Sequence, residues 1–152
     1  MERLMNMICR FLTETDESGN SVDISVKDNN GYGVVEFNYE DRILVQIAIP
    51  KESMMESYTI YAFPRFAISQ EQILNAAFVL NAFNKWATGI NSGIFENKGT
   101  IWFKCNRFSQ EEISEEDFEA DFKRVLNYCW FNMPKIMDKI KNGVTRIIDF
   151  SE

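Results

Sequence analysis

The sequence predicts an α+β fold in one domain, an antiparallel β-sheet packed by helices in the order α-β-β-β(-β)-α-β-β-α. Three observations predict it. Apolar residues recur at threes and fours in three segments, near the start, in the middle and near the end of the chain. Between these segments lie short β-branched and aromatic runs, with connectors too short for parallel crossovers. No repeat, low-complexity tract or linker divides residues 1–152, a length at which one domain removes about 70% of its unfolded surface from water.

The first helix occupies residues 2 to 14, where Leu4, Ile8, Phe11 and Leu12 form one stripe flanked by Met5 and Met7. The polar cluster Thr15 to Asn20 ends it. "SVDISV" then alternates Val22, Ile24 and Val26 against polar residues, the pattern of a half-buried strand. Asn30-Gly31 signals a tight hairpin, because both positions tolerate positive φ. "GVVEFNY" and "ILVQIAI" follow as strands about the turn Glu40-Asp41-Arg42. "SYTIYAF" makes the fourth run, ended by Pro64.

Ser69 with Gln72 three residues on reads as a capping box for a helix to about Thr88, with Gly89 as its stop. "SGIFEN" and "TIWFKC" form a hairpin across Asn97-Lys98-Gly99. Ser114 caps the last helix, with Asp117 at the third helical position. Its stripe is Phe118, Phe122, Val125, Cys129, Met133, Ile136 and Ile140, ended at Gly143. Pro134 should kink that helix or shift its register. The tail from 144 to 152 has no assignable role.

Composition narrows the function. Twenty-three acidic against 16 basic residues give a net charge of −7, a surface that repels phosphate backbones and anionic lipid. No apolar run is long enough to span a bilayer, and the N-terminal stretch is broken by Glu2, Arg3 and Arg10 with no cleavage-type site after it. Cys9, Cys105 and Cys129 are odd in number and widely spaced, as in a reducing cytoplasm. With no histidine, the chain can build neither a Ser-His-Asp nor a Cys-His arrangement. No phosphate-binding glycine loop is present. The expectation is therefore no enzyme, no cofactor and no metal. The run "EEISEEDFEAD" holds seven carboxylates between Glu111 and Asp121 and lacks a calcium-loop spacing. It reads as the solvated start of a helix, favoured by the helix dipole.

Surplus apolar surface is the positive lead. On the middle helix Ile73, Ala76, Val79, Leu80, Phe83, Trp86 and Ala87 fill one broad arc that faces the sheet. Leu74 and Phe78 lie outside it, to be covered by the terminal helices or else by a second copy or a client. Asn75, Asn81 and Asn84 are poor helix-interior residues, which suggests amides fixed to adjacent loop or strand backbone. On the last helix Tyr128, Trp130 and Phe131 project beside the stripe, either packing over the middle helix or sheet edge or serving as interface anchors. Leu74, Phe78, Tyr128, Trp130 and Phe131 are the candidate dimer or client contacts.

"LNAFNKW", then "SGIFENKGTIWFK", then "ISEEDFEADF" and "MPKIMDKIKNG" together resemble the YbjN family of bacterial proteins over residues 70 to 143. That resemblance implies a fold like the type III secretion chaperones, a homodimer, and a non-enzymatic role. The role would be binding a protein client, or acting as an adaptor in a sensory or regulatory pathway. The first half offers a fourth strand beyond the three of the family's layout. The alternative is a small-molecule-binding or enzymatic domain with a pocket between helices and sheet.

Overall fold

Three helices lie against one face of a six-stranded antiparallel sheet in this computed structural model, which describes residues 1–14 and 22–142. The elements run α1 (Glu2–Thr13), β1 (Ser25–Asn29), β2 (Tyr32–Tyr39), β3 (Ile43–Pro50), β4 (Glu56–Pro64), α2 (Ile73–Trp86), β5 (Asn91–Phe95), β6 (Thr100–Ser109) and α3 (Glu115–Lys141). The strand order is β1-β2-β3-β4-β6-β5, so β1 and β5 are the two edges. The polar cluster after α1, Gly143 and the tail 144–152 fall outside the described residues.

The turns follow from their residues. Asn30 and Gly31, at φ 45° and 85°, give the two-residue loop between Asn29 and Tyr32 the twist of a tight hairpin. Glu40 and Asp41 are also left-handed, at 48° and 56°, which is strained for residues with a Cβ. Gly99, at φ 64°, could carry no side chain, because a Cβ there would lie 2.1 Å from the Ile68 carbonyl oxygen.

Alternation along the strands sorts the core. Val35 and Phe37, Val45 and Ile47, Tyr58 and Ile60, Ile101 and Phe103 all point to the helix side and are buried. The helices close over them through ring contacts. Phe122 and Phe118 of α3 meet Phe37 and Tyr58, and Phe83 of α2 meets Phe103 edge-on at 5.6 Å. Phe11 joins α1 to Phe118 at 5.4 Å. Such edge-to-face pairs add about 0.5–1.5 kcal/mol each beyond area burial.

Several boundaries differ from the sequence pattern. The first strand begins at Ser25, and all five of its residues are exposed, because an edge strand has one neighbour and here no core above it. Val22 and Ile24 pack against the core from the preceding segment instead. Ser69 makes no side-chain cap bond, since Gln70–Gln72 wind as a 3₁₀ turn before α2 begins at Ile73. The helix stops at Trp86, two residues short of Thr88, where Ala87 turns extended. At α3 the Ser114 hydroxyl does accept from the Asp117 N–H, at 3.1 Å. That helix continues through Pro134 to Lys141.

Candidate functional site

The face of the sheet opposite the helices carries a row of rings rather than the polar side chains of a solvated face. Tyr61 and Phe63, two apart on β4, stack at 5.7 Å with planes 10° apart. Phe63 stacks on Phe95 of β5 at 6.3 Å, and Phe95 leans on Trp102 of β6 at 6.4 Å. Lys104 closes the row, its ammonium 5.3 Å from the Trp102 ring centre. The Trp102 indole lies directly over Gly93, its cross-strand partner, so closely that a Cβ on Gly93 would sit 2.2 Å from the ring. Glycine is required there because the ring occupies the space of a side chain.

Beside these rings the same face turns polar. Gln46 and Lys27 both donate to Glu36, the latter at 3.1 Å. The Thr59 hydroxyl donates to Asn106 at 2.7 Å. An aromatic centre with a polar rim is the general anatomy of a protein interface.

The residues singled out on the helices divide into two groups. Leu74 and Phe78 are 68% and 53% exposed, so the terminal helices do not cover them. Phe131 is likewise 68% exposed. Tyr128 instead packs over α2, meeting Phe83 and Trp86 at 6.0 and 5.9 Å. Trp130 meets Tyr39 edge-on at 6.3 Å, with the Arg42 guanidinium over its ring at 5.2 Å. Trp86, expected on the sheet-facing arc, is exposed at the end of α2.

Asn84 does fix its helix to a strand. Its amide donates to the Ser92 carbonyl at 2.9 Å and accepts from the Ser92 N–H at 2.7 Å. This pairing caps the outer edge of β5 as another strand would. Asn81, by contrast, is exposed.

The acidic run is not uniformly solvated. Asp121 is buried, accepting from the Tyr58 hydroxyl and Arg107 Nε, both at 2.5 Å. Burial opposes its charge, but the hydrogen bonds from Arg107 and Tyr58 and the charges of Arg107 and Arg124 outweigh burial. The carboxyl therefore stays below its usual range. Burial and the Asp121 bond push the Tyr58 phenol well above its usual range. All three cysteines are free, and burial pushes the Cys129 thiol up to about 12. Among the described residues no three His, Cys, Asp or Glu side chains gather as a metal site. No described helix is long and apolar enough to cross a membrane.

No family model matches the chain, and no curated protein matches it. A solved structure does: "YbjN, a putative transcription regulator from E. coli", at TM-score 0.50 and 11% identity. The match covers 93% of this chain and 85% of that one. The chain has the YbjN fold. At that identity the likeness concerns architecture, and it extends well beyond the segment 70 to 143 that carries the sequence resemblance. The first-half strands belong to the YbjN-like sheet too, since β1 to β4 lie within one continuous six-stranded layer.

The bare sheet face was missed by the sequence reading, although a signal for it was present. In "SYTIYAF" both parities are apolar: Tyr58, Ile60 and Ala62 on one side, Tyr61 and Phe63 on the other. A strand greasy on both sides asks for cover on both sides.

Proposed function

We propose that the chain is a non-enzymatic, protein-binding adaptor or regulator that works as a homodimer in the cytoplasm. The observation that carries this reading is the row Tyr61, Phe63, Phe95 and Trp102, over which no described element lies, on the face of the sheet opposite the helices. Rigid rings offer large contact area at little entropic cost, and they are the commonest anchors of protein interfaces. On this reading the row holds the client. Leu74, Phe78 and Phe131 form the contact between copies, while Tyr128 packs on Phe83 and Trp86 and Trp130 on Tyr39 and Arg42. The regulator role draws on the description of the YbjN structure and on the absence of any histidine from the sequence. It ranks above a dedicated secretion chaperone, for which the sequence offers no secretion-specific feature.

A tagged pull-down from the native cell, read by mass spectrometry, tests this. One stoichiometric protein should accompany the wild-type chain and be lost from a Tyr61→Ser, Phe63→Ser variant. A partner retained at full yield by that folded variant would refute the assignment of the sheet face.

A further inference from the structure

The sheet distributes the chain's charge unevenly. The sequence holds 23 carboxylates against 16 basic side chains. Yet among the strand residues that project from the face opposite the helices, Glu36 is the one carboxylate, while Lys27 and Lys104 are cations. Arg65 follows β4 directly and adds a third, since its guanidinium donates to the Asn38 side chain on this face. Glu96 and Lys98 offset one another in the turn after Phe95. The face is thus positive on a protein of net charge −7.

Glu36 is already satisfied. Hydrogen bonds from Gln46 and Lys27 hold it below its usual range against burial, and Arg65 adds only its more distant charge. Neither Arg65 nor Lys104 has a carboxylate within 4 Å among the described residues. The register places these two cations on either side of the rings. Tyr61 lies between Gln46 and Lys104 of the neighbouring strands. Phe63 is opposite Leu44, and Leu44 is opposite Asn38, where the Arg65 guanidinium is held. From Asn38 on β2 to Lys104 on β6 there are three strand spacings, about 14 Å across. An extended chain covers that span in about four residues.

We propose that this face binds an extended acidic segment of a partner protein, in which two carboxylates about four residues apart flank an aromatic side chain. The aromatic side chain lies on Tyr61 and Phe63, one carboxylate meets Arg65 and the other meets Lys104. The proposal rests on the reading of the ring row as the client site and adds the chemistry of the client. Two other occupants fit less well. A second copy meeting through the same face would bring Arg65 and Lys104 of both copies together, like charge against like. Single-stranded nucleic acid can stack bases on rings, but its run of phosphates is repelled by a chain of net charge −7 far more than two carboxylates are.

The test is a titration of the ¹⁵N-labelled full chain with the peptide Phe-Thr-Asp-Thr-Phe-Thr-Asp-Thr-Phe, blocked at both ends. Saturable shifts are expected at the Trp102 indole, with the Trp86 and Trp130 indoles unmoved. The same peptide with Asn for both Asp should bind about tenfold more weakly, the worth of two part-exposed ion pairs. An Arg65→Gln, Lys104→Gln variant with unchanged circular dichroism should bind the two peptides alike. Equal binding of both peptides at Trp102 by the wild type would overturn the acidic class and leave the ring row as a client site. Shifts centred on Trp86 or Trp130, or none, would overturn both. Tighter binding of oligothymidylate than of the acidic peptide at Trp102 would overturn the peptide in favour of nucleic acid. Trp102 shifts that change on dilution without peptide would give the face to a second copy and overturn it too.

Discussion

The Tyr58 hydroxyl donates to Asp121 Oδ2 at 2.5 Å, joining the middle of the sheet to the second turn of α3. Arg107 on the neighbouring strand completes the arrangement, with Nε at 2.5 Å from the same oxygen and a second nitrogen at 3.1 Å from Oδ1. Two strands and a helix thus meet on one buried carboxylate. Most of the core is apolar and would tolerate small slides of α3. A charge that needs three donors has one satisfactory position, so Asp121 sets where the helix lies.

Replacing Asp121 by Ala should therefore cost about 3 kcal/mol, the low end for breaking a buried pair, because Arg107 keeps some access to water. Part of that loss is the Tyr58 hydroxyl left buried without its acceptor. Urea unfolding of the two proteins measures it. A difference under about 1 kcal/mol would mean the carboxylate is replaceable, as surface pairs are.

The same group makes stability depend on acid in a defined direction. Its folded-state pKa is lowered from 3.8, so the native state holds the proton less tightly than the unfolded chain. The stabilisation is fully present above that value and is lost as pH falls through the lower, folded value. Glu56 adds to the trend: the hydrogen bond from Arg3 holds it below 4.5 against the opposing effect of burial, helped by the Ile113 N–H. Wild-type stability should fall steeply below about pH 4, and the gap to Asp121→Asn should narrow there. Urea midpoints at pH 7, 4 and 3 decide it. A constant gap would exclude Asp121 as the titrating group.

How much of this was legible beforehand depends on range. The helix stripes were readable because their partners lie three and four residues away, and Asn30-Gly31 because a turn is wholly local. Asp121 was read as solvent-facing because its partners Tyr58 and Arg107 lie 63 and 14 positions away. The helix was placed by its apolar period, which carries no information about which carboxylate meets an arginine. Trp86 went wrong for a related reason. Its angular position fits the buried arc, but it is the last residue of the helix and stays exposed, touching Phe83 and Tyr128 by its ring. The sheet's outer rings fall between these cases: Tyr61 and Phe63 were visible as apolar residues, while their neighbours Phe95 and Trp102 became so only through the strand order β4-β6-β5.

Asn84 makes a prediction that separates edge protection from ordinary packing. Its amide takes both the N–H and the carbonyl of Ser92, so Asn84→Ala leaves two backbone groups unpaired on a half-covered edge. The expected cost is about 2 kcal/mol. Because the edge is then free to pair, aggregation at high concentration should also increase. Asn84→Asp keeps the acceptor and loses the donor, and should fall between the two. Light scattering that stays flat for Asn84→Ala would show that the edge needs no such guard.

Phe78 and Phe83, five positions apart on α2, make the sharpest contrast in the molecule. Phe83 is fully buried among Phe103, Tyr128 and Trp86, whereas Phe78 is 53% exposed beside Leu74. Truncating Phe83 to Ala should cost about 3–5 kcal/mol through the cavity it opens. Phe78→Ser touches no core contact, so its effect on monomer stability should stay within about 0.5 kcal/mol. If copies meet through Leu74 and Phe78, the same substitution should still lower the mass seen by light scattering at a fixed concentration. The variant places a hydroxyl where an apolar contact was made, which favours the separated chains. An unchanged mass with unchanged stability would remove this helix face from the dimer contact and leave the sheet as the apolar surface available to pair. Lowered stability with unchanged mass would mean that Phe78 contributes to the fold in spite of its exposure.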